Sequence, residues 1–314
     1  MSTHTYPFHQ VDVFTDTPYF GNPVAVVNCL DASLPIPSQE QMQRFAQWTN
    51  LAETTFLLPP TAGTQADYRL KIFTPLEELP FAGHPTLGSC HSFLRHLGAS
   101  TSSALVAERD GKLVQDCAIG LVALQVSSDA STVRFRAPEF LRYGPVDPAI
   151  VSRLAKAFCL SESDIVDTHH IDNGPRWIGV KLKSAQQVID IDINSPRCDT
   201  ASIRDLDLNV GFLGPYAGGK NAQGESVAHE IRAFAFDEYM KEDPVTGSLN
   251  AGFAKWLEAS GKSPSDAYTN SQGTAIRRKG RVSIKIDRSK GEKDKPEIWV
   301  GGACVVCVDG VVHV

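Results

Sequence analysis

Two short segments of this sequence match each other, and each stands before a stretch with the spacing of an amphipathic helix. Residues 83–89 read Gly-His-Pro-Thr-Leu-Gly-Ser, and residues 242–248 read Glu-Asp-Pro-Val-Thr-Gly-Ser. Proline is well tolerated at the first helical position, where its missing N–H has no intrahelical partner. The repeat therefore predicts helices that begin at Pro85 and Pro244, one in each half of an α+β chain.

The rest of the pattern supports two domains. A chain of 314 residues has the length of about two domains of about 150 residues each. Ser38 and Gln41 have the spacing of a capping box and predict a helix through Trp48. The polar segment Ser127–Ser131 is the best candidate for a connection, which predicts domains of residues 1–128 and 129–302.

Composition narrows the function classes. The formal net charge of −6 offers no basic surface for nucleic acid. No apolar run approaches the roughly 18 residues that a membrane span requires. The N-terminus lacks a secretion signal, and seven scattered cysteines are typical of reduced thiols. We expect a cytoplasmic protein without nucleic-acid or membrane partners.

The two predicted helix starts could form a paired anion site. Free backbone N–H groups and the positive end of the helix dipole favour anions at such positions. The residues before the prolines, His84 and Asp243, would then lie at the mouth of the site. Asp243 could instead merely cap its helix. His84 is a poorer capping residue, which favours a functional role for the pair.

Glu53 is a lone acid directly before the apolar segment Thr54–Leu58. A buried carboxyl group is costly to ionise, and burial can adjust it into a general acid or base near neutral pH. The alternative is an exposed glutamate at the strand edge, or one paired with an arginine. The residue pattern alone favours that alternative.

Three other groupings suggest rival chemistries. Cys304 and Cys307 form a single CxxC, a weak redox or metal signal in a segment that alternates like a strand. Ser248 with His84 and Asp243 could suggest a hydrolase triad, but no Gly-x-Ser-x-Gly elbow surrounds a serine. His169–His170 is interpreted as a polar surface pair. No metal site is predicted.

An ordered set of motifs resembles the PhzF family, the phenazine biosynthesis-like proteins, over nearly the whole chain. The motifs are residues 11–15, 21–27, 50–56, 73–75, 78–88, 242–248, 272–273, 281–282 and 300–302. The resemblance implies the diaminopimelate epimerase fold: two pseudo-symmetric domains, each a β-structure around a central helix, with the active site in the cleft between them. It also implies that the last strand, residues 303–314, returns to the first domain, and that the protein is a homodimer without metal or organic cofactor.

The resemblance also implies roles for particular residues. Glu53 matches the catalytic acid/base of the family, and His84 and Asp243 match residues that line the cleft. Three further residues match positions near the bound carboxylate of a small metabolite: Gly83, Gly247 and Ser248. Ala52 departs from the family, in which serine is frequent before the glutamate.

These roles predict a cofactor-independent isomerase that moves a proton between carbons of a small carboxylated substrate. The alternative is a catalytically degenerate family member that serves as a binding or scaffold protein.

Overall fold

The computed structural model describes residues 4–236, 240–292 and 295–314. The chain divides into two compact units. Unit 1 contains the residues up to Arg136 together with Gly301–Val314, and unit 2 contains Ala137–Val300. The part of the C-terminal strand from Gly301 onward thus belongs to unit 1.

The described residues of unit 1 form three helices and eight strands that lie wholly within this unit. The strands are β1 Thr5–Val13, β2 Asn22–Asn28, β3 Thr54–Leu58, β4 Tyr68–Phe73, β5 Glu78–Leu79, β6 Lys112–Cys117, β7 Gly120–Val126 and β8 Thr132–Arg136. The helices are α1 Gln39–Thr49, α2 Gly83–Leu97 and α3 Ala99–Glu108.

The remaining elements begin in unit 2. The strands are β9 Arg142–Pro145, β10 Ile165–Asp172, β11 Trp177–Leu182, β12 Asn209–Pro215, β13 His229–Phe236, β14 Met240–Asp243, β15 Ala267–Gln272, β16 Gly280–Glu292 and β17 Lys295–His313, which ends in unit 1. The helices are α4 Pro148–Ala157, α5 Ala185–Ile189 and α6 Gly247–Ala259. Short 3₁₀ segments occupy Glu162–Asp164, Thr200–Leu206, Ala217–Gly219 and Thr274–Ile276.

The strand pairings follow the same order of directions in both units. In unit 1, β1–β2 is antiparallel, β2–β3 parallel, β3–β4 antiparallel, β4–β6 parallel and β6–β7 antiparallel. In unit 2, the series β10–β11, β11–β12, β12–β13, β13–β15 and β15–β16 alternates identically. One long helix packs against the first two strands of each series, α2 on β1 and β2, and α6 on β10 and β11.

Each unit has its own apolar core. In unit 1, Phe56 lies between the rings of Phe45 and Phe73, with centroid distances of 6.2 and 5.8 Å. In unit 2, Phe158 packs against Phe212 and Phe234 at 4.8 and 5.3 Å. Edge-on and tilted rings at these distances add to the free energy that burial alone supplies. None of the described helices combines the length and apolar character of a membrane-spanning helix.

The two units divide between Arg136 and Ala137, whereas the sequence placed a boundary near residue 128. Residues 127–131 form the turn between β7 and β8 inside unit 1, because the Ser127 N–H donates to the Thr132 carbonyl at 2.9 Å. The Asp129 carboxylate accepts from the Ser127 hydroxyl at 2.5 Å and from the Ser131 N–H at 3.1 Å. Short polar side chains are common both in turns and in linkers. The polar composition of residues 127–131 therefore did not distinguish a turn from a connection between domains.

The predicted helix starts also need correction. α2 begins at Gly83, two residues before Pro85, and α6 begins at Gly247, three residues after Pro244. Asp243 is still paired with Ala233 in a strand, so Pro244 belongs to the turn that leads into the helix. The helices therefore correspond by their first residues, Gly83 and Gly247, rather than by their prolines.

Glycine recurs at the sixth position of each helix, Gly88 in α2 and Gly252 in α6. A Cβ on Gly88 would lie 2.4 Å from Val24 Cγ1 and 3.0 Å from Val13 Cγ2. Because Gly88 has no Cβ, α2 can pack this closely against β1 and β2.

We expect Gly88→Ala to lower the free energy of unfolding by about 1–3 kcal/mol, because the new methyl group overpacks the contact. Gly310→Ala is the matched control, since a Cβ there has no heavy atom within 4 Å. Urea unfolding curves measure both variants. Equal midpoints for the two variants would contradict the steric argument.

Candidate active site

Glu53 and His84 lie in contact within unit 1. Glu53 Oε2 is 3.2 Å from His84 Nε2, and the two side chains are 16% and 8% exposed. Both residues were predicted for the site, and the structure brings them together. The alternative interpretation expected an exposed Glu53 or one paired with an arginine. In the structure, the partner of Glu53 is the imidazole of His84.

The backbone before Glu53 is fixed by the end of α1. Asn50 ends the helix in the left-handed conformation with φ 53°, and its N–H donates to the Ala46 carbonyl. The Thr49 and Thr54 hydroxyls are 2.8 Å apart on either side of the loop. β3 follows with every residue buried. Glu53 is thus the last polar residue before a fully buried strand, which explains why its carboxyl group is largely withdrawn from water.

A second set of hydrogen bonds ties α2 to the strands beside it. The Thr55 hydroxyl lies 2.9 Å from the Ser89 hydroxyl, and the Gln115 amide donates to the Thr86 hydroxyl at 3.1 Å. All four side chains are completely buried. These contacts fix the start of α2 relative to β3 and so fix His84 relative to Glu53.

Burial controls the proton affinity of Glu53. Desolvation raises its pKa from 4.5 to about 7, because the charged form loses hydration in this apolar setting. A carboxyl group with this pKa is half protonated near neutral pH. It can therefore accept a proton and return one without an extreme change in solution conditions, which is the requirement for a general acid/base.

Asp243 occupies the end of β14 in unit 2. The Thr246 hydroxyl donates to Asp243 Oδ2 at 2.5 Å, and the Gln272 amide N–H donates to the Asp243 carbonyl at 3.2 Å. The Asp243 side chain thus accepts from a threonine three residues later, while its backbone pairs with Ala233. The N-cap position of α6 is occupied by Thr246, so Asp243 is not the N-cap residue of this helix.

Gln272 organises this corner through four hydrogen bonds. Its amide oxygen accepts from the Thr246 N–H at 3.0 Å and from the Asn250 amide at 2.9 Å. Its amide nitrogen donates to the Thr246 hydroxyl at 3.0 Å and to the Asp243 carbonyl at 3.2 Å. Because Thr246 accepts from Gln272, its own proton is directed to Asp243.

The network continues into the core of unit 2. Asn270 donates to Asn250 at 3.1 Å, and His229 Nδ1 lies 2.9 Å from the Asn270 amide oxygen. These residues and the role of Gln272 were not predicted from the sequence, although Gln272 belongs to one of the family-like motifs, residues 272–273. Each polar side chain is isolated in sequence, and only the strand pairing brings them together.

The three predicted carboxylate-binding residues occupy helix starts. Gly83 and Gly247 are the first residues of α2 and α6, and neither helix has a side-chain cap. The Ser248 hydroxyl accepts from Trp177 Nε1 at 3.1 Å, and its carbonyl accepts from the Asn173 amide at 2.9 Å. These contacts give the Ser248 side chain a structural partner; ligand binding by these residues stays a prediction.

Glu242, beside Asp243, forms a buried ion pair with Arg232. The guanidinium donates to both carboxylate oxygens, at 2.8 and 2.6 Å. The Arg232 side chain is 4% exposed and the Glu242 side chain is 8% exposed. Arg232 Nη1 also donates to three carbonyls at the end of α5, including Ile191 at 2.5 Å. Glu242 thus anchors β14 to Arg232 of β13.

We expect Thr246→Val to lower kcat about tenfold, because it removes the hydrogen bond that orients Asp243. Thr246→Ser keeps the hydroxyl and is the matched control. Steady-state kinetics on both variants provide the measurement. Equal kcat values for the valine and serine variants would contradict an orienting role for the hydroxyl.

The rival groupings do not form sites. Cys304 is buried and Cys307 is half-buried, both as free thiols, and Cys307 lies where the register between β1 and β17 shifts. His169 stacks on Trp256 at 4.7 Å, and His170 is only 3% exposed. The expectation of a polar surface pair was therefore wrong, because adjacent strand residues face opposite sides. Among the described residues, no three His, Cys, Asp or Glu side chains are grouped to hold a metal ion.

A serine, histidine and aspartate do meet elsewhere in unit 1. His9 Nδ1 is 2.8 Å from the Ser92 hydroxyl, and His9 Nε2 is 3.6 Å from Asp309. Ser92 is 1% exposed within α2, so a substrate carbonyl has no access to it. The arrangement is structural and does not revive the hydrolase interpretation.

Comparisons with known proteins identify relatives over the full length. Residues 11–310 match the family PhzC-PhzF, described as phenazine biosynthesis-like protein. Antisense-enhancing sequence 1 of Schizosaccharomyces pombe is 32% identical over 317 residues, covering 99% of each chain. The trans-2,3-dihydro-3-hydroxyanthranilate isomerase of Pseudomonas chlororaphis is 30% identical over 289 residues, covering 91% of each chain.

Solved structures agree on the fold. A PhzF family protein from Enterococcus faecalis has a TM-score of 0.74 at 20% identity, covering 99% of this chain and 100% of that chain. A hydroxyproline epimerase from Agrobacterium vitis has a TM-score of 0.54 at 11% identity, covering 100% and 92%. The predicted family is confirmed, and several relatives are named isomerases. The chain belongs to the PhzC-PhzF family of phenazine biosynthesis-like proteins.

Proposed function

We propose that this protein is an isomerase in which Glu53 moves a proton between two carbons of a small carboxylated substrate. The observation that carries the proposal is the contact of Glu53 with His84 at 3.2 Å. The Glu53 pKa of about 7 gives the carboxyl group a proton affinity suited to both halves of such a transfer. The relatives named as isomerases support the same reaction class.

The proposed step conserves atoms and electrons within the substrate. The Glu53 carboxylate takes a proton from one carbon, and the electron pair of that C–H bond enters the substrate π-system. Glu53, now a carboxylic acid, returns the proton to a second carbon. His84 positions the carboxyl group and stabilises charge that develops during the transfer. The result is a shifted double bond without net oxidation or reduction.

Roles for the other predicted residues follow from the sequence and stay predictions. Asp243 is proposed to help orient the substrate and guide protons, and its hydrogen bond from Thr246 at 2.5 Å would hold its carboxylate in one orientation. Gly83, Gly247 and Ser248 are proposed to supply donors to the substrate carboxylate. The proposed reaction calls for no metal or organic cofactor.

The first substrate to test is trans-2,3-dihydro-3-hydroxyanthranilate, which the named Pseudomonas isomerases act on. Purified protein and this compound are followed by ¹H NMR without added cofactor. The proposal predicts an isomerised product whose formation scales with enzyme concentration. Saturable binding with neither turnover nor exchange of the substrate C–H would contradict it and favour the degenerate binding protein.

We expect kcat/KM to fall about tenfold for each pH unit below about 7 and to level off above that value. The free enzyme must carry Glu53 as a carboxylate to begin the reaction, and its raised pKa of about 7 places the protonated, inactive form below that pH. Initial rates between pH 5 and 9 provide the measurement. A flat profile across this range would exclude Glu53 as the base that starts the reaction.

A further inference from the structure

Unit 2 contains a cavity of about 560 Å³ that none of the residues proposed for catalysis lines. Its walls come from three segments: residues 184–189, which include α5; residues 215–225, from the end of β12 onward; and residues 274–281, which lead into β16. Pockets for small organic ligands have volumes of about 300–1,000 Å³. The cavity is therefore large enough for a metabolite of nucleotide size.

The cavity is strongly positive, although the chain as a whole carries a formal charge of −6. Four cationic side chains line it, together with a single carboxylate, Glu225. The cations are Lys220, Arg278, Lys279 and Arg281. Hydrogen bonds from Lys279, Arg281 and Asn221 lower the Glu225 pKa to about 2, so this group stays ionised and neutralises one cation. The lining side chains thus carry a formal charge of four positive groups against one negative group.

Two of these cations are held in place before any ligand arrives. Lys279 Nζ is 2.7 Å from Glu225, and Arg281 forms a close ion pair with the same carboxylate. Arg281 Nη1 also donates to the Ser271 hydroxyl at 3.1 Å. Cations fixed in this way lose little conformational entropy when an anion binds.

The Lys220 side chain differs from those of Lys279 and Arg281 in its ion pairing. Its backbone forms an isolated bridge with Ser226, but within the described part of the chain its ammonium group has no ion-pair partner. A lysine on a positive wall without a carboxylate of its own is suited to an incoming anion. Arg278, in the lining segment of residues 274–281, supplies a planar guanidinium, a group that can bind two phosphate oxygens together.

The remaining lining supplies an apolar surface. Ile189, Pro215 and Ala217 line the cavity beside the Tyr216 ring. The Tyr216 hydroxyl donates to the fully buried Glu230 carboxylate at 2.7 Å, which fixes the ring orientation. A ligand that matches these walls combines a flat apolar body with at least two negative charges.

We propose that this cavity binds a phosphorylated organic metabolite of nucleotide size. The phosphate groups contact Lys220 and Arg278, and the apolar body lies against Tyr216 and the aliphatic wall. This binding is independent of the proposed isomerase reaction, since the two sets of residues do not overlap.

Isothermal titration of the whole protein tests the proposal with three probes. ADP carries both the charge and the flat body, inorganic pyrophosphate carries only the charge, and adenosine carries only the body. We expect ADP to bind most tightly, pyrophosphate more weakly, and adenosine not measurably. Raising the salt concentration from about 50 to 200 mM weakens ADP binding, because the contacts are electrostatic.

The double variant Lys220→Ala/Arg278→Ala is expected to weaken ADP binding about tenfold or more. Lys183→Ala is the matched control, because Lys183 is an exposed cation of unit 2 paired with Asp164 at 3.3 Å and outside the cavity lining. Thermal melting checks that the variants fold. Glu53→Gln is expected to bind ADP as the wild type does, which separates this proposal from the proposed function.

Three results would overturn the proposal: a wild-type Kd for ADP weaker than about 1 mM, equal ADP affinity in the double variant and the Lys183→Ala control, or adenosine binding as tight as ADP binding. In the first case the cavity does not bind organic phosphates of this size. In the other two it binds them without using its cations.

Discussion

Replacing Glu53 with glutamine is expected to lower kcat by about 10³-fold, within the range of about 10²- to 10⁴-fold that general acid–base catalysis contributes. Glutamine has nearly the same shape and can still contact His84, but it cannot carry a proton between carbons. Substrate affinity is expected to change little. Steady-state kinetics and equilibrium titration provide the two measurements. A variant with wild-type turnover would remove Glu53 from the mechanism.

The same variant is expected to be more stable than the wild type at alkaline pH. The Glu53 pKa is raised from 4.5 to about 7 in the folded protein, so its contribution to stability is complete below about pH 4.5. That contribution is lost as the pH rises through about 7, because the unfolded chain ionises more easily. The free energy of unfolding of Glu53→Gln is expected to exceed that of the wild type by about 3 kcal/mol at pH 8. Urea unfolding at pH 4.5 and 8 should reveal the gain only at the higher pH.

Replacing Glu242 with alanine is expected to lower the free energy of unfolding by about 3–5 kcal/mol. The substitution leaves the Arg232 guanidinium 4% exposed without its carboxylate partner. Burial of an unpaired charge is the reason for the large effect. Chemical unfolding monitored by circular dichroism provides the measurement.

Glu40→Ala is the matched control for this prediction. Glu40 also pairs with an arginine, Arg44 at 2.7 Å, but those side chains are 78% and 64% exposed. Loss of such an exposed pair costs about 0–1 kcal/mol. Similar unfolding free energies for the two alanine variants would show that burial does not control the Arg232–Glu242 contribution.

Local signals in the sequence predicted much of the fold correctly. The capping box of Ser38 and Gln41 is present at the start of α1. α3 was missed because it lacks a clear apolar face, with only Ser102 and Val106 buried. The start of α6 was placed too early because proline is compatible with both a first helical turn and the turn before it. Strand pairing of Asp243 with Ala233 decides between them, and pairing is not a local property.

The candidate site was predictable only in part. The residue pattern favoured an exposed or arginine-paired Glu53, and only the family resemblance favoured catalysis. The decisive feature, the contact with His84, depends on how α2 packs against the strands. The role of Gln272 was also hidden, because its four hydrogen bonds connect β15 to residues 243, 246 and 250. Long-range polar contacts of this kind have no sequence period.

The measurement that tests the central claim most directly is deuterium transfer from solvent to substrate carbon. Wild-type protein and Glu53→Gln are each incubated with trans-2,3-dihydro-3-hydroxyanthranilate in D₂O, and the carbon-bound positions are followed by NMR. If Glu53 carries the proton and its bound proton exchanges with solvent, the wild type introduces deuterium at carbon and the variant, while still binding the compound, does not. Deuterium incorporation by the variant at the wild-type rate would contradict the account.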